Sequence, residues 1–102
     1  MIHVIATIEV EPGKRAELVE ILKANVPNVL SEDGCLAYAP AIDIDAGLDA
    51  QPSLRENMVV VIEQWASIEH LHAHLNAPHM AAYRERVKHI VKNSKLRVLK
   101  PV

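Results

Sequence analysis

The stretch Met58-Val59-Val60-Val61-Ile62-Glu63-Gln64-Trp65 decides the fold. Its β-branched run favours extended backbone, and alternation sends Val59, Val61 and Trp65 to one side and Met58, Val60 and Ile62 to the other. Both sides are apolar. A strand with two oily faces reads as the centre of a sheet rather than its edge. Residues 2–10 form its natural neighbour, with Ile2, Val4, Ala6, Ile8 and Val10 on one face and His3, Ile5, Thr7 and Glu9 on the other.

Working outward, Glu11-Pro12-Gly13 turns the chain, and Leu18, Val19, Leu22, Val26, Val29 and Leu30 then recur at helical spacing. Gly34 is the stop signal for that helix, and Pro27 should kink it or disturb its hydrogen-bond ladder. Residues 35–44 read as a weaker strand, placed at a sheet edge because Pro40 lacks a ladder donor. A long hairpin loop covers 45–57. Ser67 is a natural N-cap for a helix from Ile68 to Leu75, and Asn76-Ala77-Pro78 interrupts it and starts another. Met80, Tyr83, Val87 and Ile90 or Val91 stripe that second piece. After Asn93-Ser94, residues 95–100 read as the last strand. The order is βαββαβ, a single α+β domain over residues 1–102. Right-handed crossovers place the first and third strands in the middle of a four-stranded antiparallel sheet.

The chain has 102 residues, half of them apolar, with no Phe and only Trp65, Tyr38 and Tyr83 as aromatics. Val, Ile, Leu and Ala must therefore fill the core. Helices can cover only one side of the sheet, so the second apolar face calls for a partner, and a two-fold copy of the same chain is the commonest solution. A homodimer is expected. Net charge is −2, which provides no field for nucleic acid or an anionic membrane. The basic run from Arg84 to Lys100 has no interleaved aromatics and reads as a solvated face. Cys35 is the only cysteine, so no internal disulfide forms. A reducing, cytoplasmic setting fits, and neither a leader nor a membrane-spanning run is evident.

The segment Glu63-Gln64-Trp65, with Leu71, His74, Ala77-Pro78-His79-Met80 and Tyr83, resembles the signature of the antibiotic biosynthesis monooxygenase family. Pro12-Gly13 and Glu32-Asp33-Gly34-Cys35-Leu36-Ala37-Tyr38 match the same pattern, so the resemblance spans nearly the whole chain. It implies a ferredoxin-like fold assembled as a dimeric α+β barrel. It further implies oxidation of a quinol-like or polycyclic aromatic small molecule by O2 without flavin, haem or metal. An asparagine that anthrone-oxidising relatives carry falls at Val61, so that contact is not expected. The residues that mark haem-degrading relatives fall near Ala6 and Arg84, which disfavours haem chemistry.

Cofactor-free oxidation of a phenol needs a base near neutral pKa, an apolar cavity and donors for the developing anion. His74 and His79 flank the helix break and are the expected proton handlers. Trp65 is grouped with them, as a wall for a flat substrate or a core plug. Tyr83, Arg84, Glu63 and His3 are the expected substrate contacts: Tyr83 as a donor, Arg84 as an oxyanion partner or a solvated base, Glu63 as a buried acid, and His3 on the mixed face of the first strand. His70 and His74 lie four apart on one helical face, but no third ligand is evident, so no metal or cofactor site is expected. An isomerase or other proton-transfer enzyme on a small metabolite, and a non-catalytic dimeric binding protein, stay open as alternatives.

Overall fold

The computed structural model describes residues Met1–Val102. Its elements are β1 (Ile2–Val10), α1 (Arg15–Leu30), β2 (Cys35–Ala41), β3 (Met58–Trp65), α2 (Ile68–Leu75), α3 (Pro78–Val87) and β4 (Val91–Leu99). The strands make one sheet in the order β2-β3-β1-β4 with every neighbouring pair antiparallel. This is the ferredoxin-like α+β architecture, with its second helical segment broken in two.

The alternation read along β1 and β3 is the alternation observed. Ile2, Val4, Ala6, Ile8 and Val10 are buried under the helices with Val59, Val61, Glu63 and Trp65. Register then sets which side chains meet. Val4 and Tyr38 flank Glu63 on its two neighbouring strands, and Ala6 and Ile8 stand opposite Leu96 and Ser94 of β4. On the other face, Ile5 stands opposite Ile62 and Thr7 opposite Val60. No helix covers them, and Ile62 is 47% exposed.

Helix α1 buries Leu18, Leu22, Asn25 and Val29, spaced to lie on one face. Its three apolar members, Leu18, Leu22 and Val29, lose essentially all contact with water, each worth about 1.5–3 kcal/mol relative to an exposed position. The helix runs through Pro27. The missing proline N–H leaves only the carbonyl of Lys23 without its usual donor, and Lys23 is at the surface where water serves instead. Gly34, at φ +79°, turns the chain into β2, and its carbonyl accepts a 2.8 Å hydrogen bond from the Ala66 amide at the end of β3. Ser67 caps α2, accepting from the His70 amide at 3.2 Å. Pro78 opens α3 at its first turn.

Two boundaries differ from the sequence reading. β2 ends at Ala41, so the loop to β3 begins earlier and is closed at its base by a bidentate Arg55–Asp43 pair at 2.8 and 3.0 Å. β4 begins at Val91, so Asn93-Ser94 is strand and not turn. Pairing with β1 overrides the local turn preference, and Asn93 donates to Glu9 across the ladder at 2.6 Å. Pro40 does lie on an edge strand, as its missing donor requires. No helix is long and apolar enough to cross a membrane.

Candidate active site

The break between α2 and α3 is what assembles the site. Asn76 closes α2 as its C-cap, its backbone and side-chain N–H groups donating to the His72 carbonyl, Pro78 restarts the helix, and the change of direction turns His74 and His79 toward the same point. That point is Glu32, which follows the last turn of α1. His74 Nδ1 lies 2.8 Å and His79 Nε2 3.0 Å from one and the same oxygen, Glu32 Oε2. The carboxylate can only accept from both, so each ring nitrogen facing it carries a proton. Behind His79, Asn25 Nδ2 lies 3.4 Å from Nδ1 and donates to it, which keeps the His79 proton on Nε2. Asn25 is itself held by Asn28 at 3.0 Å.

A proton on His74 Nδ1 leaves Nε2 with a free lone pair. Nε2 makes no hydrogen bond within the chain, and no buried side-chain polar atom lacks a partner. It therefore opens onto the cavity that His74 lines. The imidazole is only 2% exposed. Burial pushes its pKa down, and the hydrogen bond and charge of Glu32 pull it back up, with burial the larger effect. The balance favours the neutral ring.

The cavity lies between the covered face of the sheet and α2–α3 and has a volume of about 290 Å³. Its polar lining is Tyr38, Glu63, His74, Tyr83, Arg84 and Ser94, set among apolar residues that include Ile8, Val61 and Met80. Burial raises both tyrosines above the ordinary phenol range, Tyr83 to about 12 and Tyr38 further, so both remain hydrogen-bond donors. Glu63 is 4% exposed. Burial is also the main reason its pKa is raised to about 7; the indole hydrogen bond lowers it and the Glu32 charge raises it. Two larger, more open hollows lie near Met1, Ile68 and Lys100 and along Ile5, Lys95 and Arg97. Neither is lined by a histidine or a tyrosine.

Of the residues singled out from sequence, Glu63, His74, Tyr83 and Arg84 meet in this cavity. Trp65 does not wall it. The indole is fully buried behind His74, with ring centroids 4.7 Å apart and planes tilted by 34°, and its Nε1 donates to Glu63 Oε1 at 2.9 Å. It touches both His74 and Glu63 and fixes their relative position. His79 stands outside the cavity and reaches it only through Glu32. His3 lies on the opposite face of the sheet, because its neighbours Ile2 and Val4 point inward. Sequence reasoning gave no site role to Glu32, Tyr38 or Asn25, although Glu32 and Tyr38 lie in a stretch that matched the family pattern. An acid just past a helix end is ordinary, and only the histidines' need for an acceptor pointed toward one.

Glu32, His74 and His79 place three potential ligand atoms within 4.8 Å of one another. They would hold a divalent ion only after both imidazoles surrendered the protons now shared with Oε2. His70 does not join them: its Nδ1 lies 2.7 Å from Ser67 Oγ and its Nε2 3.4 Å from Asp33. Cys35 is half-buried, and burial with the charges of Glu32 and Glu63 raises its pKa, so it stays a thiol.

Fold and site together define a small ferredoxin-like α+β protein in which a buried, carboxylate-held histidine opens onto an apolar cavity. Residues 1–86 match the family model described as antibiotic biosynthesis monooxygenase, and the chain belongs to that family. It is 46% identical over 103 residues to the "Probable quinol monooxygenase YgiN" of Escherichia coli, covering 99% of this chain and 98% of that protein. Among solved structures it superposes on PA3566 from Pseudomonas aeruginosa with a TM-score of 0.81 at 27% identity, covering 99% of this chain and 93% of that one. Rv0793 from Mycobacterium tuberculosis gives 0.79 at 26% identity, with coverage of 99% and 94%.

Proposed function

We propose that this protein is a monooxygenase that oxidises a quinol-like aromatic with molecular oxygen, the substrate's own anion supplying the electrons. The observation that carries the reading is the His74 imidazole, buried, protonated on Nδ1 by the geometry of Glu32, with Nε2 free toward an apolar cavity. Such a nitrogen takes a phenolic proton. The nascent oxyanion finds donors in Tyr38 and Tyr83 and a positive charge in Arg84 at the solvent side. A water-poor cavity keeps the anion reactive toward O2, and about 290 Å³ suits a flat molecule at the small end of ligand sites. Support comes also from the family and from the name carried by the 46%-identical relative.

The uncovered sheet face, with Ile5, Val60 and Ile62 at its centre, is closed in this reading by a second copy of the chain, giving a dimeric barrel. A free thiol without a disulfide suits the reducing interior of the cell. Oxygen consumption with a panel of chemically reduced quinones tests the activity. Turnover is expected with at least one of them and should fall by roughly 10²-fold or more in His74→Ala. No oxygen uptake with any, or a His74→Ala variant as active as the parent protein, would refute it.

A further inference from the structure

Glu63 is the second proton-handling group of the cavity, and base catalysis alone leaves it without a task. One of its oxygens, Oε1, is held by the Trp65 indole at 2.9 Å. The other, Oε2, has no partner in the chain, yet no buried polar side-chain atom is unsatisfied. Oε2 therefore faces the cavity that Glu63 lines. Its register neighbours are Val4 and Tyr38, and no cation pairs with it. A buried carboxyl with one N–H donor and no counter-charge is favoured in its neutral form, and a neutral carboxyl has a proton to give. The titratable and charged groups around it are Glu32, Cys35 and Tyr38 from the α1–β2 region, His74 from α2, and Tyr83 and Arg84 from α3. Glu32 disfavours its ionisation further, and the pKa is raised to about 7. His74 accepts and Glu63 donates, from environments that push the two in opposite senses.

We propose that Glu63 is the general acid of the oxygen half-reaction, protonating the oxygen that leaves as water. The role rests on the monooxygenase reading above. His74 Nε2 takes the phenolic proton, and the anion passes one electron to O2. The aryloxyl radical and superoxide combine to form a ring C–O bond, and the resulting peroxide anion takes its proton back from His74. His74 then removes the hydrogen of the peroxide-bearing carbon. That C–H electron pair becomes the C=O bond as the O–O bond breaks, and the departing oxygen leaves with the Glu63 proton as water. His74 returns a proton to Glu63. The substrate loses four electrons and O2 gains four, one oxygen atom entering the product and the other leaving as water.

Glu63→Gln is the test, because glutamine still offers Trp65 a carbonyl acceptor but has no transferable proton. With a reduced quinone that the parent protein turns over, kcat should fall at least 10-fold with KM little changed. Hydrogen peroxide should appear in place of water, and the loss of kcat above pH 7 expected of the parent should vanish. Trp65 fluorescence of the ligand-free parent should titrate with a midpoint near 7 and lose that transition in Glu63→Gln. A variant that stays fully coupled with the parental pH profile, or a Trp65 titration midpoint in the ordinary carboxylate range, overturns the role of Glu63 alone. A parent protein that consumes no oxygen with any quinol overturns the monooxygenase reading and the role with it.

Discussion

Replacing Glu32 by glutamine perturbs the one atom on which two histidines converge. Oε2 accepts from His74 at 2.8 Å and from His79 at 3.0 Å, and hydrogen bonds to a charged group are each worth about 1.5–3 kcal/mol. The two losses differ in kind. His79 is 26% exposed and can turn to water, whereas His74 at 2% cannot. Glu32→Ala should therefore cost about 2–4 kcal/mol, much of it from the stranded His74 Nδ1–H. In a domain of this size that lowers Tm by roughly 10–20 °C. Glu32→Gln keeps one carbonyl acceptor and should cost about half as much in stability. It nonetheless removes the negative charge and one acceptor, so the His74 tautomer is no longer enforced and kcat should drop by about 10²-fold. Because Glu32 raises the His74 pKa against the effect of burial, that pKa should fall further in the variant. NMR titration of the His74 ring protons reads this directly, and the acid limb of the kcat/KM profile should move to lower pH with it. A purely structural Glu32 would leave both pH readouts alone. Glu32→Gln with an unchanged His74 pKa and parental kcat would refute the assignment of His74 as a carboxylate-held base.

Gly34→Ala should destabilise the fold by about 2 kcal/mol or more, read by denaturant titration. Left-handed backbone costs an L-residue about 1–2 kcal/mol, and at φ +79° the added Cβ would also sit 2.3 Å from the His70 ring. Glu63 makes stability depend on pH in a sense opposite to the usual carboxylate. Its pKa is raised from 4.5 to about 7 in the folded chain, so the folded state holds the proton more tightly. About 3 kcal/mol of stability is present below pH 4.5 and lost as pH rises through 7. Glu63→Gln should abolish that decline, and identical pH–stability curves for parent and variant would contradict the buried-acid assignment. The lowered pKa of His74 works the other way, removing stability as pH falls below about 6.5. Sedimentation at micromolar concentration should give a dimer mass for the parent and a monomer mass for Ile62→Asp, which puts a charge on the uncovered face. A monomeric parent would show that this face stands alone.

Local physics was legible in the chain itself. The two-faced β3 run, the alternation of β1, the Ser67 cap, the Pro78 restart and the glycine turn at Gly34 all follow from side-chain period and backbone preference within a few residues. Glu63, His74 and Tyr83 lay in the stretch that resembled the family, and the structure lines one cavity with them and Arg84. Asn93-Ser94 misled because turn propensity is weak against a full strand's pairing. Trp65 could be read as wall or plug, since period gives a side chain's face but not its depth. Glu32 was out of reach for a further reason: it stands 42 residues from His74 and 47 from His79, and nothing local to any of the three specifies the others. Sequence by itself determined which elements form and which faces are oily, because alternation, capping and glycine conformations act over neighbouring residues. Only the tertiary structure decided that two histidines share one carboxylate oxygen and that buried Glu63 lines one cavity with His74, because sheet register and the α2–α3 break bring those distant groups together.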